Sequence, residues 1–201
     1  MSFETTTWEE AARRLASGEV GVIPTDTLYG IVGSALKPAT IERIYDLRKR
    51  ERDKPLIVLI SDWTDFDRFQ IVIPDRTHIL LNKIWPGPVS VIVSAGSPAL
   101  AYLHRGTNSI AFRMPAKPAL RECLKQTGPL VAPSANLAGE ASAVTAQEAY
   151  EHFGDQVFYV DEGTLDNPAS ALVDARMDPW RILRPAPGLG SSAASDLNPL
   201  A

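Results

Sequence analysis

One cysteine, three histidines and no long apolar run in 201 residues close off several kinds of protein at once. The lone thiol of Cys123 has no partner for an internal disulfide and no companions for a cysteine-held metal, which fits a reducing compartment. His78, His104 and His152 stand apart, without metal-ligand spacing. No stretch approaches the ~20 apolar residues needed to cross a bilayer, and the first ten residues carry no basic stretch followed by an apolar core. A cytoplasmic protein without membrane association is expected. Cations are outnumbered, 20 to 24, for a net charge of −4, so no stable complex with a long nucleic acid is expected either. No phosphate-binding G-x-x-x-x-G-K-[ST] occurs. Gly188 to Ala193 matches G-x-G-x-x-A in form, but too few residues follow it to build the required helix. Ser134 lies in no G-x-S-x-G elbow, so it reads as a hydrogen-bonding ligand rather than a nucleophile.

What is present points to one α/β domain over residues 1–188, with a flexible tail over 189–201 that is rich in Pro, Gly, Ala and Ser. Thr7-Trp8-Glu9-Glu10 has capping-box form and opens a short amphipathic helix that Gly18 ends. The run Val20 to Ile23 reads as a buried strand, and the polar cluster Pro24-Thr25-Asp26-Thr27-Leu28-Tyr29-Gly30 as the loop at its end. A second helix is predicted from Ile41 to about Arg50, then a strand over 56–60 and a short polar helix over 62–70. Asp75 is read as the cap of a helix over 76–85. Further strands are predicted at 89–93, 109–114, 130–132, 157–160, 170–174 and 180–183, with helices from Pro118 and after Thr145. His104, Arg105 and Thr107 fall in a predicted loop, and Pro133-Ser134-Ala135-Asn136 is a second polar loop at a strand end.

Charge is not spread evenly. Residues 43–54 hold six cations against three carboxylates, so +3 sits there and −7 elsewhere, a pattern suited to a small anion rather than a long polyanion. Taken alone, Arg48, Lys49 and Arg50 are better read as a solvated helix end whose cations complement the helix dipole. Together with Arg105, Thr107, Arg113, Ser134, Asn136 and Arg184, they supply hydroxyls, an amide and cations but no thiol and no histidine base. That inventory suits positioning and charge stabilisation of phosphates.

The blocks PTDTLYG, LRKRERDKPLIVLI, WPGPVSVIV, SIAFRMP, APSANLAGEASAVT, DEGTLDNPASALVD and ILRP, in that order, resemble the YrdC family of threonylcarbamoyl-AMP synthases. The resemblance implies a single-domain twisted mixed sheet with flanking helices and a basic concave face. It also implies a nucleotidyl transfer in which L-threonine, bicarbonate and ATP, with Mg2+, give threonylcarbamoyl-AMP and pyrophosphate for downstream tRNA threonylcarbamoyl-transfer proteins. Residue by residue, it places Thr27, Tyr29 and Thr107 with threonine, and Arg48, Arg50, Lys54, Arg113, Ser134, Asn136 and Arg184 with the nucleotide. Arg50 and Lys54 are the expected catalytic cations, and no residue is expected to ligate a metal. Arg48 stands where many members have Lys, and Leu59 where some have a histidine. A non-catalytic nucleotide- or RNA-binding module of the same fold, YciO-like, is the alternative reading.

Overall fold

The computed structural model describes residues 3–185, so the tail expected over 189–201 lies outside the described residues. Nine strands form one mixed sheet in the order β7-β1-β2-β6-β3-β5-β4-β8-β9. They are β1 (Gly21–Pro24), β2 (Tyr29–Ser34), β3 (Ile57–Leu59), β4 (Val89–Ser94), β5 (Ser109–Arg113), β6 (Leu130–Val131), β7 (Phe158–Tyr159), β8 (Ala171–Asp174) and β9 (Arg181–Arg184). Pairs β1/β7, β3/β5 and β4/β8 are parallel, and the remaining pairs are antiparallel.

Side chains alternate across a strand, and two cores result. Val22, Ile31, Val58 and Val131 enter a large one, whereas their neighbours Ile23, Val32, Leu59 and Leu130 enter a smaller one. The large core takes Ile41, Ile44 and Tyr45 from α2 (Pro38–Arg48), together with the Phe66–Phe69–Phe112 aromatic cluster. The small core is closed by α1 (Trp8–Ser17) and α5 (Pro118–Thr127), which contribute Leu15, Leu120, Cys123 and Leu124. Burial pushes the Cys123 thiol up to about 12, so it is a neutral apolar filler. Gly21 is required where β1 meets β7, since a Cβ there would sit 2.2 Å from the Phe158 ring.

The small-core face is covered only over part of the sheet. Beyond β3, its row continues through Ile57, Ala111, Ile92 and Leu172, which are each half-buried and face a concavity instead of a helix. This uncovered half is where the pocket lies.

Element boundaries differ from the sequence expectations in ways that matter for the site. Thr7 Oγ1 does accept the Glu10 N–H at 3.2 Å, as the capping box requires of its first residue. The segment 24–30 is not a single loop. Thr25 Oγ1 donates to Leu28 O at 2.7 Å and accepts from Thr27 N and Leu28 N, and this closes a turn so tight that Tyr29 already pairs with Pro24 in a β1/β2 hairpin. The second helix ends two residues early, at Arg48, because Lys49 adopts left-handed backbone with φ 50°. Arg50 therefore stands beyond the helix. The stretch 63–69 is a 3-10 helix with Asp65, Phe66 and Phe69 buried, and the predicted loop around His104 contains α4 (Ala101–His104). The helix expected at 76–85 is α3 (Asp75–Ile84), whose N-cap is Pro74 rather than Asp75. The helix after Thr145 is α6 (Ala146–Phe153), and Thr145 caps it.

Candidate active site

The ends of β1, β2, β3, β5, β6 and β9 surround a pocket of about 230 Å3 lined by Thr25, Thr27, Tyr29, Arg48, Arg50, Arg113, Ser134, Ser142, Ser170 and Arg184 among others. Four arginines face it, and among the described residues no carboxylate, thiol or imidazole lines it. A second cavity, about 480 Å3, adjoins it over the uncovered sheet face and shares Arg50, Pro55, Leu56, Ile57 and Arg184 with it. Its floor is the apolar row Ile57, Ala111, Ile92 and Leu172, and its rim adds Thr107, Ser109 and Arg176.

Each arginine is held by a different device. Arg48, 3% exposed, donates Nε to Asn136 O at 3.0 Å and Nη2 to Asn136 Oδ1 at 3.0 Å. Its Nη1 has no partner among the described residues. Burial, with the charge of Arg50 acting the same way, pushes its guanidinium down to about 10, so it stays charged at neutral pH. Arg113 is 5% exposed and donates Nη1 to Thr27 Oγ1 at 3.1 Å. Burial lowers its guanidinium, the Asp26 carboxylate opposes that, and Arg184 adds to it. Arg184 donates Nε to Ser170 O at 2.8 Å. Among the described residues the Arg50 side chain makes only long contacts, Nε to Lys54 O at 3.3 Å and Nη2 to Pro55 O at 3.4 Å, and it lines both cavities.

Six of the residues singled out from sequence, Thr27, Arg48, Arg50, Arg113, Ser134 and Arg184, are thus brought together with Tyr29. Four of the singled-out residues are engaged within the chain or stand outside this pocket. The Tyr29 hydroxyl directs its proton between Gly163 O at 2.7 Å and Asp161 Oδ1 at 3.1 Å, and accepts from Glu162 N. Burial, the leading cause, pushes it up to about 12; it fastens the 161–163 loop instead of offering a free phenol. Lys54 lines neither cavity; its exposed ammonium pairs with Glu51 at 2.6 Å. Thr107 belongs to the second cavity, where its hydroxyl donates to His104 O at 2.6 Å. Asn136 is fully spent: Nδ2 donates to Leu137 O and Glu140 O, and Oδ1 accepts from Arg48 and from Ser134 Oγ at 2.6 Å.

Asn136 is therefore the knot of the Pro133-Asn136 loop, which an isolated bridge between Gly30 and Ser134 ties to β2. Replacing Asn136 with alanine leaves two carbonyls and the Arg48 fork short of partners. We expect a loss of at least about 2 kcal/mol in unfolding free energy by urea titration. A variant as stable as the wild type would show that water replaces the amide.

Ser142, Ser170 and Arg176 were not singled out from sequence. Ser170 sits inside the DEGTLDNPASALVD block, but nothing in the chain's local pattern says that its carbonyl holds Arg184 from 14 residues away. Among the described residues, no group of three His, Cys, Asp or Glu side chains could hold a metal ion, and no helix is long and apolar enough to cross a membrane.

The family model described as "Telomere recombination", covering Sua5, YciO and YrdC, matches residues 13–186. A Mycobacterium tuberculosis protein provisionally named threonylcarbamoyl-AMP synthase is 33% identical over 180 residues, covering 88% of this chain and 82% of that protein. The crystal structure of Pyrococcus abyssi Sua5 complexed with L-threonine superposes with a TM-score of 0.83 at 28% identity, over 92% of this chain and 55% of that one. This chain thus spans about half the length of the Pyrococcus protein. Escherichia coli YciO shares the fold, with a TM-score of 0.77 at 20% identity over 88% and 87% of the two chains.

Proposed function

The chain belongs to the Sua5, YciO and YrdC family, and we propose that it is a threonylcarbamoyl-AMP synthase acting as a nucleotidyltransferase. The observation that carries this reading is the convergence of Arg48, Arg50, Arg113 and Arg184 on a pocket that no carboxylate among the described residues lines. Such a site attracts an anion with several charged oxygens, and a triphosphate has them. Relatives named threonylcarbamoyl-AMP synthase, and a related structure holding L-threonine, support the rest.

In the proposed reaction the threonine amine and bicarbonate give a carbamate and water. A carbamate oxygen then attacks the α-phosphorus, the new O–P bond forms, and the bond to the β-phosphate bridge breaks to release pyrophosphate. No covalent nucleophile is required of the protein, whose part is to position charge. Thr27 and Ser134 offer hydroxyls near the arginines, and the adjoining cavity adds flat apolar floor. Among the described residues the pocket offers no carboxylate for magnesium, so those residues do not fit a protein-held ion. Mg2+ enters on the phosphates of its substrate. The product passes to proteins that transfer threonylcarbamoyl to tRNA, and the net charge of −4 favours weak tRNA binding by the isolated chain.

Purified protein with ATP and Mg2+ is expected to release pyrophosphate only when threonine and bicarbonate are both present. Serine, one methyl smaller, should be disfavoured by about 1–3 kcal/mol in kcat/KM. ATP binding without threonine-dependent pyrophosphate release would leave the chain a nucleotide-binding module of the YciO kind.

A further inference from the structure

Arg113 owes its position to a residue that does not line the pocket. Asp26 lies in the turn between β1 and β2, and the two side chains are 10% and 6% exposed. Asp26 Oδ2 accepts the Ala116 N–H at 3.0 Å, tying the turn to the segment that follows β5. Its Oδ1 lies 3.2 Å from Arg113 Nη2. That is proximity of charge without hydrogen-bond alignment, since among the described residues Oδ1 has no hydrogen-bond partner and neither does the buried Arg113 Nε. The other arm of the guanidinium donates to Thr27 Oγ1, and Thr27 is itself 3.0 Å from Thr25 Oγ1, the atom that closes the turn. One four-residue turn thus holds both arms of the arginine.

A carboxylate beside a cation in an anion site is a liability if charge is all that counts, because it weakens the field felt by the ligand. Its presence there, buried and under-bonded, needs a compensating role. We propose that Asp26 is a positioning residue that aims the Arg113 guanidinium at the anionic part of the substrate without touching it. The inference rests on reading the pocket as a nucleotide site, though not on the reaction performed there.

Charge and aim predict opposite signs. Asp26→Asn keeps an oxygen that can accept from Ala116 and removes only the charge. Calorimetric titration with ATP, threonine withheld, is expected to show about tenfold weaker binding in this variant. Asp26→Glu keeps the charge and shifts it, and should weaken binding severalfold. In an Arg113→Lys background the Asp26→Asn change should add less than about twofold, because the aimed fork is already gone. Tighter or unchanged binding by a folded Asp26→Asn protein overturns the proposal, as do losses that simply multiply in the double variant. Should Asp26→Asn fail to fold, Asp26→Glu decides: wild-type affinity overturns the proposal, severalfold loss supports it. A wild type that binds ATP but releases no pyrophosphate defeats the enzyme reading alone, whereas one that binds neither ATP nor pyrophosphate overturns this inference with it.

Discussion

Arg50→Ala is expected to slow threonine-dependent pyrophosphate release by about 10²–10³ while leaving the unfolding free energy within about 0.5 kcal/mol of the wild type. The reason lies in what the residue does not do. The two contacts of its side chain, at 3.3 and 3.4 Å, are near the limit of hydrogen bonding, and both run to carbonyls of its own loop. It follows the left-handed Lys49, and its backbone N–H closes the helix end on Tyr45 O at 3.1 Å, a bond that truncating the side chain leaves in place. Yet it faces both cavities, which Arg48 and Arg113 do not. A preorganised donor with little structural work should show its worth only as charge shifts on the phosphates. Steady-state pyrophosphate release and a urea titration on the same preparation separate the two effects. A variant that loses stability in step with rate would make Arg50 structural. One that keeps the original rate would make it a solvated surface cation.

Much of this site was legible before any coordinates. Short apolar runs rich in β-branched residues place most of the nine strands within a residue or two, and polar residues at strand ends mark the turn after β1 and the loop after β6. What the sequence hides is which polar atoms are already used. Asn136 and Ser134 are two residues apart and equally polar, but the amide closes its own loop, whereas the serine lines the pocket while giving its proton to Asn136 Oδ1. Lys54 and Arg50 belong to the same basic run. A left-handed Lys49 turns Arg50 in, and the exposed Lys54 ammonium pairs with Glu51. Tyr29 reads as a loop phenol only until the Thr25 turn is seen to shorten the loop and place it in β2. These outcomes depend on backbone dihedrals and on partners up to 134 positions distant, and no local pattern encodes them. The uncovered half of the sheet is hidden for a related reason. Ile92, Ala111 and Leu172 are apolar like any core residue, and only the span of α1 and α5 leaves them open to the cavity.

Arg113→Leu should have the largest effect on stability of any change in the pocket, about 3–5 kcal/mol. Removing the guanidinium takes away the counter-charge of a buried carboxylate. Asp26 would then keep one hydrogen bond, from Ala116, for two oxygens. Against a typical total of about 5–15 kcal/mol, such a loss leaves a marginal protein. The burden falls on the orphaned acid rather than on a missing contact, so a second substitution should relieve it. Asp26→Asn in the Arg113→Leu background removes the unpaired charge while its amide oxygen can still accept from Ala116. Most of the lost stability is expected to return in urea titration, whereas ATP affinity should stay at the level of the single Arg113→Leu variant. That pattern would separate the two costs of the ion pair, since folding needs the charges to match and the nucleotide needs the arginine itself. If Arg113→Leu instead costs under about 1 kcal/mol, Asp26 must already be hydrated where it sits. The turn would then owe its shape to Thr25 alone.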